Sequence, residues 1–402
     1  MLDHALSRFA EQHDDAAMAA VALEAPNADI AQLARLTRLL ADGGDAQLTY
    51  PSSDVVDIAS SGGPGSLSTL VAPLYACALG ARVAKIAVPG RPAGGLDVLA
   101  SLSGYNPELD GPAARRVFET CGYVHVAAGG AFCPLDARFF AWRQANGAQA
   151  NPNLAITSLL AKKLAAGVSH VVLDIRVGPY GNLGTTAEEA RRNAGQLIAV
   201  AAEIGIRATC VLTSWGAPQP WIGRGEALVA LARILEGDPD DVLRAHADEC
   251  LRMAMIATDT VDFPNSSDLA RRARIVHESM LTAHGSDPET FWTRQRTIAT
   301  AARYDVIANR GGVLQVDLGE VRRVLVERQR VAEPVAGARF PDPCGLHLVV
   351  IPGAKARVGA VLARVRDDAD PARLAAQIAT SLRVEDEVPQ DVTRTEMEII
   401  RG

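Results

Sequence analysis

The spacing of apolar residues changes along this chain, and each change marks a new segment. Up to about residue 48, leucines recur at helical spacing, as at Leu33, Leu36, Leu39 and Leu40, which predicts short amphipathic helices. Beyond that point, short apolar runs alternate with helical ones. The pattern predicts strand 55–58, helix 67–79, strand 83–88, helices near 96–102 and 112–121, and strand 123–126.

The clearest helix and strand follow one another between residues 153 and 178. The helix ends where Gly167 can take a left-handed cap conformation, and residues 171–177 are β-branched and almost entirely apolar, as in a strand covered on both faces. Thr186 and Glu189 have capping-box spacing at the start of the next helix, which leads into strand 206–212. This alternation predicts an α/β fold with a mostly parallel sheet flanked by helices.

Three domains are predicted from the interruptions in this rhythm. Residues 1–48 and 137–167 are helical, so we assign them to one small, discontinuous α-domain. Residues 49–136 and 168–329 then form the α/β domain. After a Pro/Gly-rich linker, GLHLVVIPGAKARVGAVLARVRDD predicts β-hairpins and a final helix follows at about 371–382, so residues 330–402 form a C-terminal α+β domain.

Composition and charge narrow the range of functions. A net charge of −7 over 402 residues argues against a surface for nucleic-acid polymers or anionic membranes, while a local site for a small anion is compatible with it. The six cysteines lack C-x-x-C spacing and a nearby histidine, which predicts neither zinc nor disulfides and fits a reducing cytoplasm. The charged N-terminus predicts no signal peptide, and the longest uncharged run, residues 58–81, is interrupted by serine, glycine and proline, as in a core segment.

Two glycine-rich loops carry candidate chemistry. Residues 60–66, SSGGPGS, lie between a predicted strand and a helix, where backbone amides and hydroxyls favour an anion. The loop lacks the Lys-Ser/Thr of a P-loop and the spacing of a dinucleotide fingerprint. A tight turn in which Ser66 caps the helix is an equally good interpretation. A second loop, residues 90–95, follows the next strand, and in one parallel sheet both loops open at the carboxyl edge, where ligands bind.

Three further side chains are candidates by position. Ser158 and Lys162 are four residues apart and share one face of a predicted helix, and Arg143 lies in the segment FFAWRQ. Individually, such residues are more often exposed or ion-paired than functional. The eight dispersed histidines favour the same structural interpretation.

Taken together, these segments resemble the thymidine/pyrimidine-nucleoside phosphorylase family, which shares its architecture with anthranilate phosphoribosyltransferase. FFAWR, ITSLLAKKL and LDIRVG stand where the family has FYATRD, ITASILAKKL and MDVKVG. The resemblance covers roughly residues 16–235 and, more faintly, the C-terminal domain.

The resemblance implies a pentosyltransferase acting on a pyrimidine-like nucleoside. In the family, the residues at the positions of Arg143, Ser158 and Lys162 grip the base, so Arg143 and Lys162 are the implied catalytic residues. Two cations near the carbonyl oxygens would stabilise the base as it leaves as an anion. The resemblance also implies closure of a cleft between domains, inorganic phosphate as co-substrate without another cofactor, and a homodimer joined through the α-domain. Ala227 stands where some relatives have a cation-binding glutamate, so no metal is expected.

The phosphate half of the resemblance departs from the family pattern. The family's KHSTGG reads IASSGG here, so Ile58 replaces the phosphate-contacting lysine and Ala59 replaces its histidine neighbour. In the shortened second loop, Pro89 and Ala93 replace two hydroxyl donors, and the family's MGGGR run has no obvious counterpart. The anion-binding residues predicted for this half are Ser60, Ser61, Gly62, Gly63, Ser66, Thr69 and Arg91.

The size of these losses leaves three hypotheses open. Each hydrogen bond to a charged group contributes about 1.5–3 kcal/mol, so losing one cation and two hydroxyls would lower phosphate affinity by roughly three or more orders of magnitude unless Arg91 or Lys85 compensates. The first hypothesis is phosphorolysis with a relocated anion site. The second is a nucleoside hydrolase or a biosynthetic glycosyl transferase with a non-phosphate acceptor. The third is a non-catalytic relative that binds a nucleobase.

Overall fold

The computed structural model describes residues 2–44, 48, 54–90, 94–178, 183–213, 217–386 and 397–402. Its strands are, in chain order, β1 (Val55–Ser60), β2 (Arg82–Ala87), β3 (Tyr123–Ala127), β4 (His170–Arg176), β5 (Arg207–Thr213), β6 (Trp221–Gly223), β7 (Tyr304–Ile307), β8 (Gly312–Val316), β9 (Cys344–Leu348), β10 (Lys355–Ala356), β11 (Val361–Asp367), β12 (Leu382–Glu385) and β13 (Glu398–Arg401).

The described residues also form fifteen α-helices. They are α1 (Leu2–Gln12), α2 (Asp15–Glu24), α3 (Ile30–Ala41), α4 (Ser68–Ala78), α5 (Gly95–Leu99), α6 (Gly111–Cys121), α7 (Pro134–Ala145), α8 (Pro152–Ala166), α9 (Ala187–Glu203), α10 (Arg224–Glu236), α11 (Asp241–Ala257), α12 (Ser266–Ala283), α13 (Pro288–Thr300), α14 (Leu318–Arg330) and α15 (Pro371–Ala379).

The main sheet has six strands in the order β13-β5-β4-β1-β2-β3. All neighbouring pairs from β5 to β3 are parallel, and β13 joins β5 antiparallel at one edge. The predicted α/β class with a mostly parallel sheet is therefore confirmed. Because β1 and β4 are aligned up to Ser60 and Asp174, the first glycine loop leaves the sheet directly beside the end of β4.

Local capping explains where several helices begin and end. Gly167 has φ +73° and ends α8, as predicted from the sequence. At the start of α9, Thr186 accepts a hydrogen bond from the Glu189 amide, but the Glu189 carboxylate accepts from Thr185. The predicted capping box is therefore only half formed, because the carboxylate bonds to the residue before the cap.

The helices at the N-terminus pack with α7 and α8 into one hydrophobic core. Leu6, Phe9 and Leu36 are buried there with Phe139 and Leu154, and the rings of Phe9 and Phe139 are 5.4 Å apart. This core joins two distant parts of the sequence and places α7 and α8 beside the carboxyl edge of the sheet.

The C-terminal core is built from two small antiparallel sheets, β10-β8-β12 and β6-β9-β11-β7. It includes Val306, Leu314 and Val321, so it draws on β7, β8 and α14, which extend from residue 304 to residue 330. The predicted hairpins pair differently: β9 pairs with β11, while β10 pairs with β8. In addition, β13 leaves this core and pairs with β5 of the main sheet. None of the helices in the described ranges is both long and apolar enough to cross a bilayer.

Candidate active site

One cleft brings together side chains that the sequence assigned to separate motifs. It lies between the carboxyl edge of the main sheet and helices α7 and α8, and both glycine loops contribute to it. Arg91 lies outside the described residues, as do Pro92 and Ala93. The remaining predicted site residues all line the cleft: Ser60, Ser61, Gly62, Gly63, Ser66, Thr69, Arg143, Ser158 and Lys162.

Lys162 is a buried cation with a counter-ion. Its Nζ lies 2.6 Å from Asp136 Oδ2 and 2.9 Å from Ser158 Oγ, and it also donates to the Ser158 carbonyl. Burial lowers the pKa of Lys162, and the Asp136 carboxylate opposes this effect. The spacing of Ser158 and Lys162 predicted their contact, but the partnership with Asp136 on α7 was missed, because packing of two helices creates it.

Arg143 has a structural task as well as a place in the cleft. It is almost fully buried, and its guanidinium donates to the carbonyls of Leu154 at 2.9 Å and of Ala148 at 3.3 Å. These bonds join α7 to the start of α8 and to the short 3-10 helix at Ala148–Ala150. Arg143 therefore lines the cleft and also holds together the helices that form its wall.

The first glycine loop is organised around the carboxylate of Asp174. Ser60 Oγ donates to Asp174 Oδ2 at 3.1 Å, Ser68 Oγ donates to the same oxygen at 2.8 Å, and Thr213 Oγ1 donates to Oδ1 at 2.9 Å. Because a hydroxyl has one proton to donate, Ser60 in this arrangement donates into the protein. Gly62, with φ +106°, turns the loop and donates its amide to Ser60 Oγ.

The structure shows that Ser66 does not cap α4. The cap position is Leu67, which forms no side-chain capping bond. Ser66 Oγ instead accepts from the amide of Ser68 at 3.2 Å, inside the first turn. The Leu67 amide donates to His246 Nε2 at 2.9 Å, so Ser66 and a histidine distant in sequence each accept one amide at the start of α4.

Two lysines share one carboxylate below this loop. Lys85 Nζ lies 2.6 Å from Asp57 Oδ1 and 2.6 Å from the Ile58 carbonyl, and Lys163 Nζ donates to Asp57 Oδ2. Burial alone would raise the pKa of Asp57, but Lys163 and Lys85 hold it below its usual range. Burial lowers the pKa of Lys85 to about 8. Two cations against one carboxylate leave a positive charge at the wall of the cleft, which both lysines line. The sequence raised Lys85 as a compensating cation but missed Lys163 and Asp57.

The second glycine loop approaches the first through Gly95. A Cβ atom at Gly95 would lie 3.0 Å from Thr69 Oγ1 and 3.2 Å from His125 Cε1, which explains why this position is glycine. Gly90 donates its amide to Asp97 Oδ1 at 2.7 Å. The second loop therefore lies against Thr69 on α4 and His125 on β3, in the cleft that the first loop also lines.

Two other residues of the cleft were missed from the sequence. His125, on β3, is buried and lines the cleft, although the isolated histidines gave no sign of function. Arg322, on α14, also lines the cleft. Helix α14 belongs to the C-terminal unit, which is the C-terminal core with its two small sheets, so this unit reaches the cleft. Neither belongs to a motif, because their positions follow from strand order and from packing between units.

The fold and the cleft together define an α/β protein. Its site lies between the glycine-rich carboxyl edge of the main sheet and a helical unit formed by α1, α2, α3, α7 and α8. Sequence comparison confirms the resemblance drawn from the motifs. The chain is 31% identical over 218 residues to thymidine phosphorylase of Agrobacterium fabrum, covering 53% of this chain and 49% of that protein. A protein of Parvibaculum lavamentivorans that carries thymidine phosphorylase in its provisional name is 32% identical over 261 residues, covering 63% of this chain and 49% of that protein. The chain spans about half the length of the curated relatives it matches.

Structural comparison finds more distant similarity. Anthranilate phosphoribosyltransferase of Thermus thermophilus is 17% identical with a TM-score of 0.45, covering 73% of this chain and 98% of that one. The Saccharomyces cerevisiae enzyme of the same name, in complex with PRPP and Mg, is 13% identical with a TM-score of 0.47, covering 70% and 84%. No protein-family model matches the chain.

Proposed function

We propose that this chain is a pentosyltransferase that cleaves or exchanges the N-glycosidic bond of a pyrimidine-like nucleoside. The observation that carries the proposal is the placement of cations on both sides of one cleft. Arg143 and Lys162 lie on the helical side. Lys85 lies on β2 on the sheet side, and Lys163 reaches from α8 to Asp57 on β1, so its charge also lies at the sheet. A nucleoside between them would have its base near the first pair and its anomeric carbon near the glycine loops.

The helical side would stabilise the departing base. As the glycosidic bond breaks, its electron pair stays with the base nitrogen, and the sugar passes through an oxocarbenium-like transition state. The charge that develops on the base would meet Lys162 and Arg143 in a buried site, where fixed charges act strongly. Asp136 helps to keep Lys162 protonated against the effect of burial, and Ser158 would orient a base carbonyl.

The sheet side would hold the acceptor that attacks the anomeric carbon. The excess positive charge of the two lysines around Asp57 supports an anionic acceptor. With inorganic phosphate, a phosphate oxygen would form the new bond to the sugar, giving a pentose 1-phosphate and the free base.

One observation favours a neutral acceptor instead. Ser60 directs its proton to Asp174, and Ile58 and Ala59 provide no polar side chain where β1 enters the loop. Water or a carbohydrate hydroxyl would then attack, which would make the protein a hydrolase or a biosynthetic glycosyl transferase.

The deciding experiment is a panel of pyrimidine nucleosides incubated with the full chain, with and without inorganic phosphate. Release of free base together with pentose 1-phosphate, only when phosphate is present, is the expected result. Free pentose in both conditions would support the hydrolase. Calorimetric binding of a nucleoside or its base without any product would contradict transferase activity and leave the nucleobase-binding alternative.

The proposal also includes the setting of the reaction. We expect a role in pyrimidine metabolism in the cytoplasm and a homodimer joined through the helical unit. Sedimentation of the purified chain tests the dimer, with a monomer as the contrary result.

A further inference from the structure

A lysine and a histidine lie side by side on the sheet face of the cleft. Lys85 on β2 and His125 on β3 are direct partners in the parallel register of these strands. Neighbouring residues of a parallel pair project to the same side of the sheet. Both residues line the cleft, so the sheet presents an ammonium and an imidazole from adjacent strands.

The polar edge of the His125 ring is directed toward the junction of the two loops. Its Cε1 atom, which lies between the two ring nitrogens, would be 3.2 Å from a Cβ atom at Gly95. The same glycine approaches Thr69 Oγ1. His125 is therefore in the part of the cleft where the glycine loops and the Thr69 hydroxyl converge.

His125 has unused hydrogen-bonding capacity. Its side chain is 1% exposed, and neither ring nitrogen has a hydrogen-bond partner among the residues that the structure describes. The His125 ring lines the cleft, where a ligand can reach it, and burying an unpaired polar group has a cost. A ligand that bonds to the ring would remove it.

Lys85 adds a cation that is held in place. Its Nζ is bonded to Asp57 and to the Ile58 carbonyl, and an ammonium has three protons to donate. In the parallel pair of β1 and β2, Val55 lies opposite Arg82 and Val56 lies opposite Val83. Further along the same two strands, the Lys85 ammonium donates to the Ile58 carbonyl. The ammonium is therefore positioned where β1 turns into the first glycine loop.

We propose that Lys85 and His125 form the contact site for the acceptor anion, inorganic phosphate, with Thr69 and the glycine-loop amides completing it. This inference rests on the proposed function and names the residues that hold its second substrate. The ammonium would bond to one phosphate oxygen. A neutral imidazole would bond to a second oxygen of the phosphate through one of its two ring nitrogens, which point in different directions. The protonated nitrogen would donate its N–H, whereas the other would accept the proton of a protonated oxygen.

The test is calorimetric titration of the full-length chain with inorganic phosphate, for the parent and for His125→Leu, His125→Asn and Lys85→Met. We expect His125→Leu and Lys85→Met to weaken phosphate binding by about tenfold or more, the effect of losing a hydrogen bond to a charged group. His125→Asn keeps a donor and an acceptor, so it should lose less than His125→Leu.

His277 provides a matched control. It is also 1% exposed, and its ring nitrogens also lack partners within the described part of the chain. It lies on α12 and packs against Phe291 on α13. It is not among the described residues that line the cleft. His277→Leu should therefore leave phosphate affinity unchanged, although it removes the same kind of side chain.

Binding of uracil by each variant shows whether the fold and the helical side are intact. Parent-like uracil binding with weakened phosphate binding supports the inference. Phosphate binding by His125→Leu equal to the parent, an equal loss in His277→Leu, or a parent chain that binds no phosphate would overturn it. If the parent and its variants follow the expected phosphate series but no nucleoside is cleaved, the proposed function fails and the phosphate site stands. If nucleosides are cleaved without phosphate, the site fails and glycosyl-bond cleavage stands.

Discussion

The ammonium of Lys162 and the carboxylate of Asp136 lie 2.6 Å apart in the wall of the cleft, and both side chains are buried. The cation expected to stabilise a departing base is thus already balanced by a carboxylate of the protein. A lysine without such a partner would tend to lose its proton on burial. Asp136 therefore maintains the charge of Lys162, and it also reduces the field that Lys162 exerts on a ligand.

Replacing Lys162 with methionine tests both consequences. Loss of one member of a buried ion pair leaves a charge uncompensated and costs about 3–5 kcal/mol. We expect Lys162→Met to be destabilised by that order and to lose nucleobase binding and turnover. Chemical unfolding and uracil calorimetry are the measurements.

The double variant Lys162→Met/Asp136→Asn separates the two effects. Removing the stranded charge should recover much of the free energy of unfolding, while nucleobase binding should stay lost. If the double variant binds or turns over nucleoside like the parent, Lys162 has only a structural role.

A substitution at Arg143 should affect binding of the base without removing the charge. A lysine at this position keeps the charge but cannot reproduce the planar fork that reaches the carbonyls of both Leu154 and Ala148. Arg143→Lys should weaken uracil binding by about tenfold, as expected for hydrogen bonds to a charged group. Arg138, exposed on the same helix, provides the control: Arg138→Lys should behave like the parent in calorimetry and in thermal unfolding. Equal uracil affinity in the two variants would remove Arg143 from the base site.

The pH dependence of anion binding follows from Lys85. The charged groups that act on it are Asp57 on β1 and Lys163 on α8. The neighbouring His125 on β3 is neutral over this pH range, because burial lowers its pKa well below the ordinary value. Because burial lowers the pKa of Lys85 to about 8, the ammonium is present below that pH and is lost as the pH rises through it. Sulfate keeps its charge over this range, so its binding reports on the protein. We expect sulfate affinity to fall roughly tenfold between about pH 7 and about pH 9. A flat profile, or the same fall in Lys85→Met, would exclude Lys85 as the titrating group.

Local sequence signals were sufficient for much of the sheet. The strand at 171–177 and the cap at Gly167 follow from a continuous apolar run and from one residue that tolerates positive φ.

The cleft was only partly predictable. Ser158 and Lys162 share a helix face, so their contact follows from spacing. Asp136, 26 residues before Lys162, meets it only because α7 packs beside α8.

Long-range pairing also sets the limits of the prediction for the C-terminal part. Strands at 304–316 join a core with residues beyond 330, and residues 398–401 return to the main sheet. Short strands carry no mark of their partners, because alternation specifies a face and not a neighbour. The same applies to His125, whose importance depends on lying beside Lys85 across two strands.

Arg366 connects the C-terminal unit to the rest of the chain and leads to a prediction on stability. Its guanidinium lies 2.9 Å and 3.0 Å from the two Glu226 carboxylate oxygens, and 2.8 Å from Asp342 Oδ1. All three side chains are buried. Burial alone would lower the pKa of Arg366, but the two carboxylates raise it above its usual range. Since Glu226 is on α10 and Arg366 on β11, this cluster fixes the unit whose Arg322 lines the cleft.

Arg366→Met should therefore lower the free energy of unfolding by about 3–5 kcal/mol, because it leaves two buried carboxylates short of a cation. Arg364, two residues away on the same strand, is half exposed and lies 3.5 Å from Asp305. Arg364→Met removes an equal charge at an exposed pair and should cost at most about 1 kcal/mol. Urea unfolding of the two variants gives the comparison. Similar midpoints would show that the buried Arg366 cluster adds no more stability than the exposed Arg364 pair.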